Sequence, residues 1–279
     1  MTNTLFRKIV LIPVFILLIS CRSIATRNYE METPKLKKHS VVKIALISDL
    51  HSTIYKKDQT VLINMIKSIE PDLIIISGDL FDSSAPMTGA QLLLSGISGI
   101  APVYFVTGNH EYWSYRINEI REELASYSVI ILSDSYVEID VKDNTIILAG
   151  VEDPDKKLAE DSGYNQFYSM EKAFRELDLK VSYKILIAHR PELINYYERY
   201  SFDLVLSGHT HGGQVRFPPL VNGLYARGQG LFPKYAGGKY KHKYLVHIVS
   251  RGLSLNYPRV PRIFNSPELV VIVLESEDL

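Results

Sequence analysis

The stretch Val41-Val42-Lys43-Ile44-Ala45-Leu46-Ile47-Ser48-Asp49-Leu50-His51 decides how this chain folds. Seven mostly β-branched or aliphatic residues predict a buried strand. The run stops at an aspartate and a histidine two positions apart, a spacing that can turn both side chains the same way at a strand end. The pattern returns four times. Leu73–Ile76 leads to Gly78-Asp79, and Val103–Val106 leads to Gly108-Asn109-His110-Glu111. Lys184–Ala188 leads to His189, and Leu204–Leu206 leads to Gly208-His209-Thr210-His211. An aspartate in a Gly-Asp turn, or one histidine after a strand, is commonly structural. Five such clusters in series, holding five of the eight histidines, point to one shared centre. Carboxylate and amide oxygens mixed with imidazole nitrogens suit divalent Mn, Fe or Zn.

Between the strands lie helical patterns. Val61, Leu62, Met65, Ile66 and Ile69 recur at helical spacing within 58–69, and helices are also predicted over 88–100, 115–127 and 169–177. Short β-type runs at 129–132, 136–141 and 145–149 follow the third cluster, and 246–249 and 269–274 close the sheet. Alternating strands and helices predict an α/β sandwich with a mixed sheet. In open α/β sheets, sites lie beyond the carboxyl ends of strands, where all five clusters fall. Residues 217–244, rich in Gly, Pro, Tyr and Phe and without a clear period, read as one long functional loop.

The chain has 279 residues, 46% of them hydrophobic, enough for a sizeable core in a single α/β unit. Its formal net charge is zero, so it offers no basic field to follow a phosphate backbone, and nucleic acid is not expected as a partner. A single cysteine excludes an intrachain disulfide framework.

Arg7 and Lys8 precede an apolar run from Ile9 to Ile19 that is short for a membrane span and suits a signal-peptide core. It ends in Leu18-Ile19-Ser20-Cys21, which resembles the bacterial lipobox, in which the cysteine is lipidated and becomes the first mature residue. Residues 1–21 therefore read as a lipoprotein signal, or as an uncleaved anchor. Residues 22–40 read as a polar tether, and 41–279 as the catalytic domain. The expected location is extracytoplasmic and membrane-anchored.

The order and spelling of the clusters, over roughly Val41 to Leu274, resemble the calcineurin-like metallophosphoesterase superfamily. Gly208-His209-Thr210-His211-Gly212-Gly213-Gln214, with Ser250-Arg251-Gly252, Pro261-Arg262 and Pro267-Glu268, is similar to the branch of membrane-associated phosphohydrolases that includes YkuE and YaeI. The resemblance implies a four-layer α/β sandwich with mixed central sheets, the metallophosphoesterase fold. It implies that Asp49, His51 and His211 bind a first metal and that Asn109, His189 and His209 bind a second. Asp79 would bridge the two. His110 would be no ligand, but would protonate the leaving oxygen or steady the phosphoryl group. Glu111, Asp82 and Asp153 are candidates to orient the imidazoles. Trp113 is expected to pack, as are His39, His242 and His247, at the surface or in the interior.

A pair of divalent ions about 3.5–4 Å apart would neutralise phosphoryl oxygens, lower the pKa of a shared water and aim the resulting hydroxide in line. No serine sits in a nucleophile-elbow pattern, so one direct displacement is expected. The substrate is a phosphoester. The branch resemblance and the aromatic loop favour a phospholipid or lipid-linked (pyro)phosphate. Loops 217–244 and 153–168 would set specificity. The rival readings are a broad extracytoplasmic phosphodiesterase or nucleotidase and, in another class, a non-catalytic metal-binding protein, which a missing ligand would favour and none is missing. No protein partner is inferred.

Overall fold

In strand β2 (Val41–Ile47), Val42, Ile44 and Leu46 enter one core, and Ala45 and Ile47 another. The period of two in a strand buried on both faces makes β2 part of a middle layer. The computed structural model describes residues 23–255 and 260–277. Its first sheet runs β1 (Ala25–Thr33), β14 (Glu268–Ser276), β2, β3 (Leu73–Ser77), β4 (Val103–Val106), β5 (Ile130–Ile131). The second runs β12 (Gly238–Lys241), β13 (Val246–Val249), β9 (Leu204–Ser207), β8 (Tyr183–Ile187), β7 (Asn144–Gly150), β6 (Ser135–Val141). Strands β2 to β5 are parallel, as are β7, β8, β9 and β13. The antiparallel pairs are β14 with β2, β6 with β7 and β12 with β13.

The two sheets pack face to face. Ile44, Leu46, Ile75 and Val106 of the first meet Leu148, Ile185, Leu206 and Ile248 of the second. On the outer face of the first sheet, Ala45, Ile47, Ile74 and Ile76 lie under helices Thr60–Ile69, Thr88–Ile97 and Ile117–Ser126. The outer face of the second is covered by helices Gln166–Phe174 and Ile194–Tyr197 through Met170, Phe174 and Tyr197. This is the expected mixed four-layer sandwich. Each fully buried aliphatic side chain contributes about 1.5–3 kcal/mol of transfer free energy.

Several local readings change. The expected tether at 22–40 is, from Ala25, an edge strand pairing in parallel with β14 along its whole length. Tyr29, Met31 and Thr33 turn inward, while Asn28, Glu30 and Glu32 face out. An edge strand is held by backbone hydrogen bonds and one buried face, so it needs few apolar residues. The folded domain thus begins before Val41. The apolar run 9–19 and Cys21 lie outside the described residues. The helix expected to reach Ile100 stops at Ile97, where Ser98 and Gly99 turn the chain and Gly99 takes φ 82°. The long loop 217–244 contains a small hairpin, β10 (Tyr225–Ala226) with β11 (Gly230–Leu231), and the edge strand β12.

If 25–33 is a strand, Met31→Ala lowers the unfolding free energy by about 2–5 kcal/mol, the range for truncating a buried side chain. A tether would give no change. Urea unfolding followed by circular dichroism separates the two.

Candidate metal centre

The carboxyl ends of β2, β3 and β4 from one sheet face those of β8 and β9 from the other, and every sequence-predicted ligand sits just beyond one of them. Glycine makes the approach possible at two places. A Cβ on Gly208 would fall 1.8 Å from Ser48 Oγ and 2.4 Å from Asp49 Oδ2. Gly78 holds φ 87°, and a Cβ there would lie 2.6 Å from His189 Nδ1. The ligand positions themselves bend sharply. Asp49, His51, Asp79, His209 and His211 all hold left-handed φ, between 47° and 71°. Left-handed non-glycine residues cost on the order of 1–3 kcal/mol each and collect at functional sites.

The structure brings all these side chains together. Donor atoms of Asp49, His51 and His211 lie within 4.8 Å of one another, as do those of Asp79, His189 and His209, and those of His51, Asp79 and His110. Asp79 Oδ2 is 3.6 Å from His51 Nε2 and 3.2 Å from His189 Nε2, so it faces both groups. Its Oδ1 accepts the backbone N–H of His110 at 2.8 Å. His211 Nε2 is 3.6 Å from Asp49 Oδ1. Asp49 also accepts the backbone N–H of His209 at 3.0 Å and the Ser48 hydroxyl at 2.5 Å. Asn109, the first residue of the short helix Asn109–Trp113, is buried beside them.

Charge is concentrated here. Burial pushes the Asp49 carboxyl up. Burial also opposes ionisation of Asp79, but the His189 imidazole beside it holds it well below the usual carboxylate range. Burial likewise disfavours a charged His189, yet the Asp79 carboxylate raises its pKa to about 10. Ligation requires that proton to leave. Burial keeps His209 and His211 neutral, as ligands must be.

The donor set fits divalent cations. Asn109 Oδ1 and His209 Nε2 are buried with no hydrogen-bond partner. An unsatisfied buried polar group costs about 1–3 kcal/mol, which a bound cation would offset.

A family model described as calcineurin-like phosphoesterase matches residues 42–213. The chain belongs to the calcineurin-like phosphoesterase family. It is therefore a metal-dependent phosphoric ester hydrolase whose centre takes two divalent cations, their identity left open. A metallophosphoesterase of Aquifex aeolicus is 30% identical over 90% of this chain and 91% of its own length. A Bos taurus transmembrane protein with a metallophosphoesterase domain is 32% identical over 66% of this chain and 45% of its own. Among solved structures, the NAD nucleotidase of Haemophilus influenzae shares the fold, with TM-score 0.53 at 14% identity over 78% of this chain and 46% of that one.

Around the centre of this phosphoesterase, Asp82 takes the expected supporting place, its Oδ2 being 3.3 Å from His51 Nδ1 and 3.7 Å from His110 Nδ1. Glu111 and Asp153 do not orient imidazoles. Glu111 accepts the backbone N–H groups of Asp79, Phe81 and Gly108 at 2.7–3.0 Å, tying the second cluster to the third. Asp153 grips Arg190 through two hydrogen bonds of 2.7 and 2.9 Å and so holds the turn carrying His189. Arg190 had no sequence signal beyond its place after a histidine. The Ser77 backbone carbonyl, at 2.7 Å, orients His189 Nδ1. His247 is buried, with Nε2 3.0 Å from Ser207 Oγ, and His242 pairs with Glu198 at 2.7 Å.

A cavity of about 460 Å³ opens over the centre, with Asp79, Asn109 and His211 on its floor and Tyr225 and Arg227 on its wall. Trp113 packs as expected, against His110 at a centroid distance of 4.8 Å, and the Arg227 guanidinium lies 4.3 Å over its ring. Its indole N–H donates to Asp155 at 2.9 Å.

Divalent Mn, Fe or Zn at 100 times its Kd should stabilise the apo-protein by about 2.7 kcal/mol per site, seen as a rise in Tm. Gly208→Ala, which drives a methyl into Ser48 and Asp49, should abolish that rise. Melting curves indifferent to all three ions would count against the centre.

Proposed function

We propose that this phosphoesterase hydrolyses a phospholipid or lipid-linked (pyro)phosphate at a membrane surface by direct displacement, with no covalent phospho-enzyme. The observation that carries the dinuclear part is the single oxygen of Asp79 lying between His51 and His189. Asp49, His51 and His211 would hold one cation, Asn109, His189 and His209 the other, and Asp79 both. Bound there, two divalent cations supply Lewis acidity and a water of lowered pKa. The residues do the rest. Hydrogen bonds from the chain to Asp49 and Asp79 hold the carboxylates in place. His110, beside the floor of the cavity and kept neutral by burial, would steady the departing oxygen with a hydrogen bond from its ring N–H. Arg227, steadied on Trp113, offers charge to a phosphoryl oxygen from the cavity wall.

The lipidic and membrane reading is supported by the apolar run 9–19 ending at Ser20-Cys21, which reads as an extracytoplasmic lipid anchor. Two relatives bear the name transmembrane protein with metallophosphoesterase domain. Among the described residues no helix is long and apolar enough to cross a membrane.

Purified with two metals per chain, His110→Ala should keep both and lose about 10²–10⁴-fold in kcat. Metal content that falls with it would make His110 a ligand. Asp79→Ala should lose at least one metal by elemental analysis; an unchanged ratio rejects its bridging role. Arg227→Ala should raise KM roughly tenfold with kcat nearly constant, the loss of one charge-assisted hydrogen bond. A panel of soluble and lipidic phosphoesters tests the substrate class, and equal turnover of both would favour a broad phosphodiesterase.

A further inference from the structure

Two loop segments that border the metal centre carry five exposed apolar side chains. Residues 208–237 leave the carboxyl end of β9 and return at Gly238, which pairs with Val249 at the carboxyl end of β13. Residues 250–267 leave that same end and enter β14 at Glu268, two residues before Val270 pairs with Leu46 near the carboxyl end of β2. Both segments therefore start and finish on the edge that carries the metal centre. From them Phe217, Leu220, Leu231, Phe232 and Phe264 project 47–88% exposed. The two segments touch. Val215 and Ile263 form a β-bridge, and the Phe217 and Phe264 rings are 6.0 Å apart. The hairpin is tied back by the Phe232 N–H donating to the Leu224 carbonyl at 2.8 Å.

Charge sets the same stretch apart. From Leu204 to Pro267 the chain has no aspartate or glutamate, although the whole chain is neutral. Arg227 and Lys234 stand exposed on the loop that carries Leu220 and Phe232. Segments that are apolar and bear only cations are complementary to an anionic bilayer surface.

The N-terminal chain arrives at this edge too. Ala25 pairs with Glu268 and donates its N–H to the Pro267 carbonyl at 2.8 Å. The apolar run ends at Ile19, so the link to Ala25 spans at most about 20 Å. The opposite edge lies a strand length farther, about 23 Å.

We propose that the metal-centre edge is the membrane-docking face of this protein, with Phe217, Leu220, Leu231, Phe232 and Phe264 entering the interface and Arg227 and Lys234 meeting anionic headgroups. The cavity then opens onto the bilayer, so a lipid-borne phosphate reaches it without leaving the membrane. The proposal rests on the anchored, lipid-directed reading above and adds the orientation.

The test uses the full-length chain on vesicles of phosphatidylethanolamine and phosphatidylglycerol carrying nitroxide-labelled acyl chains. An environment-sensitive fluorophore is placed on Leu220→Cys or Val181→Cys, and the unsubstituted chain corrects for any labelling of Cys21. Both positions are more than 85% exposed, so neither substitution disturbs the core. Val181 precedes β8 and marks the opposite edge. The expected result is a blue shift and at least threefold quenching at 220, with neither at 181. A chain that floats with the vesicles while 220 stays in water, or while 181 is quenched equally, overturns the orientation and leaves the anchor standing. A chain that does not float overturns both. A doubled mass without lipid, with 220 already shielded, assigns the face to a second copy and overturns the proposal.

Discussion

The Asp79 carboxylate is where the two sheets meet. It grows from the first sheet, yet one oxygen lies between an imidazole of its own sheet and one from the other. Its second oxygen and its backbone N–H are fixed by groups of the third cluster, the N–H of His110 and the carboxylate of Glu111. Seven buried carboxylates and imidazoles in so small a volume can persist only if they are hydrogen-bonded, paired or ligated. The packing of one sheet on the other supplies this arrangement, and Gly78 and Gly208 permit it by leaving room for the facing residues. Core and centre are therefore one problem. Leu46 and Ile75 set the distance between the sheets, and that distance sets the reach from Asp49 and Asp79 to His189 and His209.

Around this point lies a layer of charges that position without entering the centre. Asp153 and Arg190 hold the turn after β8, and Glu111 holds the turns after β3 and β4. Behind Asp49, the buried Arg262 donates to the Ser254 carbonyl at 2.8 Å, and Arg251 pairs with Glu268 at 2.5 Å. The Leu253 N–H between them donates to the Asp49 carbonyl at 3.2 Å. The late Ser-Arg-Gly and Pro-Arg stretches thus act as a backing for the first cluster.

Much of this was legible in the sequence. The apolar runs marked the inner strands because residues buried on both faces have no polar alternation to blur them. The five clusters announced the centre because their residue types make sense together. What escaped has a common cause. β1 and β12 are edge strands, held mainly by ladder hydrogen bonds, and their outward residues are Asn, Glu and Lys, which look like linker. The partners of Glu111 and Asp153 are backbone N–H groups and an arginine that only the folded chain brings near, so their carboxylates looked equivalent to that of Asp82. Arg227 was hidden within a stretch read as loop, because its two-residue hairpin strands are shorter than any periodic signal.

The placement of β1 has a consequence for how the protein is made. Among the described residues its one strand neighbour is β14, more than two hundred residues later in the chain. β1 therefore cannot be satisfied until residues 268–276 have been synthesised, and pairing so distant in sequence is slow to form. A polypeptide exported through its N-terminal segment would stay unlocked throughout passage. The sheet would close only after the last strand had crossed.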